Sequence, residues 1–156
     1  MKIPLEERKL QTRAEFLDDL AMSMGGYAAE KLIYGDVTTG PSNDLQVATG
    51  LARAMVTRWG MSDAIGPVAL EADGGRGVFG EEFDRSRPDH ESARLIGQET
   101  KRILDEALAR ATEVLTTHRS ILDVIAHKLI EVETLEQPEY EAILTAHGIP
   151  LKKLEA

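Results

Sequence analysis

The sequence predicts an all-α protein, a helical bundle of about four to five helices interrupted by one glycine-rich flexible insert. Three observations carry this reading. Apolar residues recur at spacings of three and four through most of the chain, the period of an amphipathic helix. Hydrophobic residues make up 42% of the sequence but aromatic ones only 4%, so the core is aliphatic and alanine-rich, whereas sheets concentrate aromatic and β-branched residues. Helical periodicity dissolves into Gly, Pro and charge over residues 66–89, which is therefore read as a loop within a single helical domain, residues 1–156.

The first helix is announced by Thr12 and Glu15, spaced as a capping box, followed by Phe16, Leu17, Leu20, Ala21, Met24, Ala28 and Leu32 on one stripe. It is expected to run to Gly35, a favourable stop. Gly25 and Gly26 lie inside it, each costing about 0.8–1 kcal/mol relative to alanine. Close approach of another backbone is the expected compensation.

Gly40-Pro41 breaks the chain before the second helix. Ser42 or Asn43 is expected to cap it, with Gln46 completing a capping box from Asn43. Asp44 then falls in the first turn, and Leu45, Ala48, Leu51, Ala52, Met55, Val56 and Trp59 form one stripe, ended by Gly60. Val68-Ala69-Leu70 reads as a short extended piece.

A long third helix is expected from Asp89 or His90, with Ile96, Thr100, Ile103, Ala107, Ala111 and Val114 on one face. Such a seam suits an antiparallel bundle. A fourth helix from Ser120 carries Ile121, Leu122, Ile125, Leu129 and Val132, and a fifth begins near Pro138 and ends at Gly148.

Composition removes several function classes. At 156 residues the chain is long enough to bury roughly 68–70% of its unfolded surface. A net charge of −9 with no basic stripe repels phosphate backbones, so no nucleic-acid partner is expected. The absence of cysteine excludes disulfides, thiolate zinc sites and a cysteine nucleophile. No run of about 18 apolar residues is present, so no membrane span is expected here, and the polar first ten residues are not a signal peptide. The chain itself is expected to be soluble.

Gly75-Arg76-Gly77-Val78-Phe79-Gly80 spells G-x-G-x-x-G, but acids and Pro88 follow it where a dinucleotide would need a helix N-terminus. No Walker-type sequence occurs, so no cofactor-binding residue is assigned. The four histidines, His90, His118, His127 and His147, include no i, i+4 pair; His90-Glu91 opens like H-E-x-x-H, yet position 94 is Arg. They read as surface or capping residues. Asp44 is the residue of interest. A carboxylate in a first helical turn is held by rigid backbone, which suits a single oxygen ligand to a metal, although such acids commonly just complement the helix dipole for about 0.3–1 kcal/mol.

The order Gly25-Gly26-Tyr27-Ala28-Ala29-Glu30, Thr38-Thr39-Gly40-Pro41-Ser42-Asn43-Asp44-Leu45, Leu51 to Ser62 with Trp59-Gly60-Met61-Ser62, Ile65-Gly66-Pro67 and Glu133-Thr134-Leu135 resembles the C-terminal helical part of the peptidase domain of FtsH-type ATP-dependent zinc metalloproteases. The likeness runs from about Thr12 to about Leu144. Tyr27 and Gly97 depart from it, standing where arginine and an acid are usual.

The resemblance implies a parent that degrades unfolded or membrane proteins, anchored to a membrane and assembled as a hexamer. Its peptidase part lies in the aqueous compartment, the cytoplasm in a bacterium. Two zinc-binding histidines and a glutamate base come from an H-E-x-x-H helix, and the aspartate matching Asp44 is the third zinc ligand. The H-E-x-x-H helix is expected upstream of Met1, and ATP binding in an ATPase domain outside this chain. The chain alone is therefore expected to hold no catalytic residue and to be inactive. Glu30 matches a family acid that can orient a ligand from behind; a solvated ion-pair partner is its other reading. The alternative function is a non-catalytic helical assembly or adaptor module derived from the same family.

Overall fold

A computed structural model describes residues 10–70 and 90–151. Among these there are six helices and no strand: α1 (Arg13–Ser23), α2 (Gly25–Tyr34), α3 (Ser42–Thr57), α4 (His90–Thr117), α5 (Arg119–Val132) and α6 (Gln137–Ala146). The all-α expectation holds. Contacts group the chain into two compact units, Met1–Thr112 and Glu113–Ala156. Residues 71–89, most of the expected insert, and with them the G-x-G-x-x-G run, lie outside the described residues.

In the first unit α1 starts as its sequence prescribes. Thr12 N–H donates to Glu15 Oε2 at 2.6 Å and Glu15 N–H donates to Thr12 Oγ1 at 3.3 Å, closing the capping box. The single helix expected from Thr12 to Gly35 is instead two, separated at Met24. Met24 keeps a right-handed backbone and the bonds Met24 N–H to Leu20 O and Ala28 N–H to Met24 O bracket the joint. The break falls where two glycines lower helix propensity together. The expected close backbone approach is absent: a Cβ on Gly25 would meet nothing within 4 Å, and one on Gly26 only Asp44 Oδ2 at 4.0 Å. Gly35 ends α2 with φ 70°, the left-handed cap that glycine adopts without a Cβ penalty.

Helix α3 begins earlier than its capping signals suggest. Pro41, not Ser42 or Asn43, is the N-cap, and no side chain caps it. Proline fixes φ near the helical value and has no N–H to lose, so it pre-sets the backbone at the helix start without capping a backbone N–H. Leu45 N–H donates to Pro41 O at 3.0 Å, the first helical bond.

The buried face of α3, Ala48, Ala52, Met55, Val56 and Thr57, packs with α1, whose Phe16 and Leu20 are buried. Small alanines let the two helices approach closely. Trp59 lies beyond the helix, half exposed, and stacks on Phe16 with ring centroids 4.7 Å apart. Gly60 turns the chain at φ 60°; a Cβ there would press to 3.0 Å from Pro67 Cα. No strand forms at Val68–Leu70. Val68 N–H bonds Gly66 O in a tight turn, and Leu70 N–H returns to Thr57 O at 2.7 Å.

On α4 the expected stripe is buried at Ile96, Thr100, Ile103, Ala107 and Ala111, while Val114 is exposed. Glu99 is buried on this apolar face. It accepts from Ser62 Oγ at 2.6 Å and from Arg102 Nε and Nη2, both at 3.0 Å. The Arg102 hydrogen bonds, then the Ser62 hydrogen bond, hold its carboxyl below the usual carboxylate range, against the opposing effect of burial; the Arg102 and Arg13 charges add to the lowering. This cluster fastens the segment after α3 to α4, and Arg110 to Asp18 at 2.5 Å joins α4 to α1.

The second unit packs α5 on α6. Ile121 is its one buried apolar residue among those described. Glu136 and Glu139 form a capping box for α6, with Pro138 in the first turn, and Gly148 follows the helix at φ 77°. No helix among the described residues is long and apolar enough to cross a membrane.

Candidate metal-ligand site

Asp44 occupies the first turn of α3, as expected, and is exposed. Among the described residues nothing donates a hydrogen bond or ion pair to its carboxylate. Its Oδ2 lies over Gly26 at the start of α2, where a Cβ would stand 4.0 Å away. The absent side chain of Gly26 leaves the approach to Asp44 open.

The turn before α3 is fixed by Glu30, projecting from α2. Thr38 N–H donates to Glu30 Oε2 at 2.8 Å, and Thr38 Oγ1 donates to the same carboxylate, 2.9 Å from Oε1. Gly40 N–H donates to Thr38 Oγ1 at 3.0 Å. Glu30 makes no ion pair among the described residues, so the solvated ion-pair reading gives way to a hydrogen-bonded one. It binds the chain at Thr38, six residues ahead of Asp44, and does not touch Asp44.

The histidines take no part in this arrangement. All four are exposed; His127 and His147 donate from Nδ1 to the carbonyls four residues back, at 2.7 and 2.8 Å. Among the described residues no three His, Cys, Asp or Glu side chains gather as a metal cage would require. The donor present fits zinc chemically, since a carboxylate oxygen with no competing protein partner is one acceptable zinc ligand. A catalytic zinc site needs three protein donors.

Two contributors escaped the sequence reading. Thr38 gave no signal, because its link to Glu30 spans a turn whose path the sequence does not reveal. Glu99 did give one, an acid set between Ile96 and Ile103 on an apolar stripe.

The helical scaffold thus presents, in a first helical turn, one exposed carboxylate without a partner among the described residues. The comparison with known proteins gives its family: the chain matches Peptidase family M41 over residues 1–143 and belongs to that family. It corresponds to part of the peptidase domain of FtsH-type proteases. It is 42% identical over 146 residues to ATP-dependent zinc metalloprotease FtsH 1 of Conexibacter woesei, covering 92% of this chain and 22% of that protein. It is 41% identical over 143 residues to FtsH of Mycobacterium tuberculosis, covering 90% and 19%. With FtsH of Bacillus subtilis the identity is 38% over 150 residues, covering 95% and 24%. The chain thus spans about a fifth of the length of the curated relatives it matches.

Proposed function

We propose that this chain is the helical C-terminal part of the peptidase domain of a membrane-anchored, ATP-dependent zinc endopeptidase, and that Asp44 is the third zinc ligand. The observation that carries the assignment is the Asp44 carboxylate, carried on a first helical turn with no partner among the described residues and facing the side-chain-free Gly26. Family membership supports the reaction class, peptide hydrolysis in protein substrates.

Zinc, when bound, lowers the pKa of a water toward about 7 and polarises the scissile carbonyl. The part of this chain is to bind and orient. Asp44 offers its oxygen from a rigid helix end, and Glu30 holds the turn that delivers it. The two histidine ligands and the glutamate base belong to an H-E-x-x-H helix, a sequence that these 156 residues do not contain. The chain alone is therefore inactive. ATP binding, membrane attachment and assembly as a hexamer belong to the parent, through segments outside these residues.

The test replaces Asp44 in a longer protein that joins this chain to its H-E-x-x-H helix. Asp44→Ala is expected to lose bound zinc, read by atomic absorption, and casein hydrolysis with it. Wild-type zinc content and activity in that variant would overturn the ligand assignment.

A second reading, a non-catalytic assembly or adaptor module, draws on a groove of about 590 Å³ in the second unit between α5 and α6, floored by Val124, Leu135, Ala142 and Ile143. A stable metal-free oligomer of this chain, seen by sedimentation, would favour it.

A further inference from the structure

We propose that Thr38 is a positioning residue for the Asp44 carboxylate, acting through the Gly40-Pro41 turn without touching the metal. The inference rests on Asp44 being a zinc ligand.

The Thr38 hydroxyl has one proton to donate and lone pairs to accept with, and both capacities are used. It donates to Glu30, with Oε1 at 2.9 Å and Oε2 at 3.1 Å, and accepts from Gly40 N–H at 3.0 Å. Its own backbone N–H makes a third bond, to Glu30 Oε2 at 2.8 Å. One residue thus ties helix α2 to the turn that starts α3.

The remainder of the path to Asp44 has few soft torsions. Gly40 fits because it lacks a side chain: a Cβ would lie 3.2 Å from both Glu30 Oε1 and Thr38 Oγ1. Ser42 N–H closes back onto Thr39 O at 3.2 Å. Pro41 is buried, its ring fixes φ, and its carbonyl accepts the first helical bond from Leu45. From there the backbone and Cβ of Asp44 are placed by helix geometry alone. A displacement at Thr38 is carried to the base of the Asp44 side chain with little backbone freedom to absorb it.

Valine at position 38 has nearly the shape of threonine but neither donates nor accepts through its side chain. Serine keeps the hydroxyl and loses only a methyl. Thr38 and Gly40 are exposed, so neither change disturbs the core around Leu20, Ala48, Ala52 and Met55. The residue's effect on metal geometry is thereby separable from an effect on folding.

The experiment uses the full-length protein that contains this chain. Zinc affinity is measured by chelator competition, and exchange of the Gly40 amide by hydrogen–deuterium mass spectrometry. Thr38→Val is expected to weaken zinc binding about 10- to 100-fold, the usual consequence of loosening a ligand's support. Its melting temperature stays near wild type, Gly40 exchanges faster, and Thr38→Ser restores both affinity and protection. Gly40→Ala perturbs the same relay from the other side and is expected to weaken zinc binding too. It serves in place of Thr38→Val if that variant does not fold.

Asp44→Asn separates the two ideas. Undiminished zinc in Asp44→Asn sinks the ligand assignment itself. Loss of zinc in Asp44→Asn with wild-type affinity in Thr38→Val and Gly40→Ala overturns the role of Thr38 alone. So does a Thr38→Ser variant that binds no better than Thr38→Val, or weakened zinc binding with Gly40 exchange unchanged.

Discussion

Glu99 and Ser62 show how one buried polar contact sets the path of a loop. The Glu99 carboxylate is satisfied by a serine hydroxyl and a two-point bond from Arg102, so its burial is compensated. Ser62→Ala removes one of those partners and leaves the acid buried; a loss of about 1–3 kcal/mol is expected in urea unfolding. The pH dependence follows from the direction of the shift. Glu99 titrates below its ordinary value of 4.5 in the folded chain, so its stabilising contribution is complete above that pH and disappears as pH falls through the lowered folded value. Ser62→Ala weakens the lowering, and the acid-unfolding midpoint of the chain should move to higher pH. An unmoved midpoint would mean that Arg102 alone supports the carboxylate.

At the scale of elements, the glycines divide into those that geometry requires and those it tolerates. Gly25 sits in a helix with open space around its missing Cβ, and Gly35 caps the same helix at φ 70°. Gly25→Ala should therefore stabilise the chain by about 0.5–1 kcal/mol, by removing backbone freedom from the unfolded state. Gly35→Ala should destabilise it by about 1 kcal/mol, because an L side chain is strained there. Paired thermal melts of the two variants check the signs, and a fall in Tm for Gly25→Ala would mean that the Met24 joint needs its flexibility.

Across the whole molecule, burial is uneven. The first unit holds the apolar core built from α1, α3 and the stripe of α4, whereas the second contributes Ile121 alone among its described residues. Ile130 at 80% exposure and the half-exposed Val132 and Tyr140 add little to its stability. Segments with few buried contacts open at lower free energy than the core. Amide exchange of the isolated chain is therefore expected to be faster through α5 and α6 than through α3, and equal protection would show that the second unit is stabilised by more than its own packing.

Periodicity and punctuation made the helices legible, because both are local: the Thr12–Glu15 cap, the Ile96–Ala111 stripe, and Gly35 and Gly148 as stops all stand where the pattern put them. The first-turn position of Asp44 was readable for the same reason, and its suggested chemistry came from motif order along the chain. Tertiary structure alone decided that Glu30 grips Thr38 and that Ser62 meets Glu99 across 37 positions. Each depends on where separate segments meet in space. Capping, propensity and amphipathic period act within a turn or two of helix, while the partner of a given carboxylate is chosen by packing among segments that no local pattern relates.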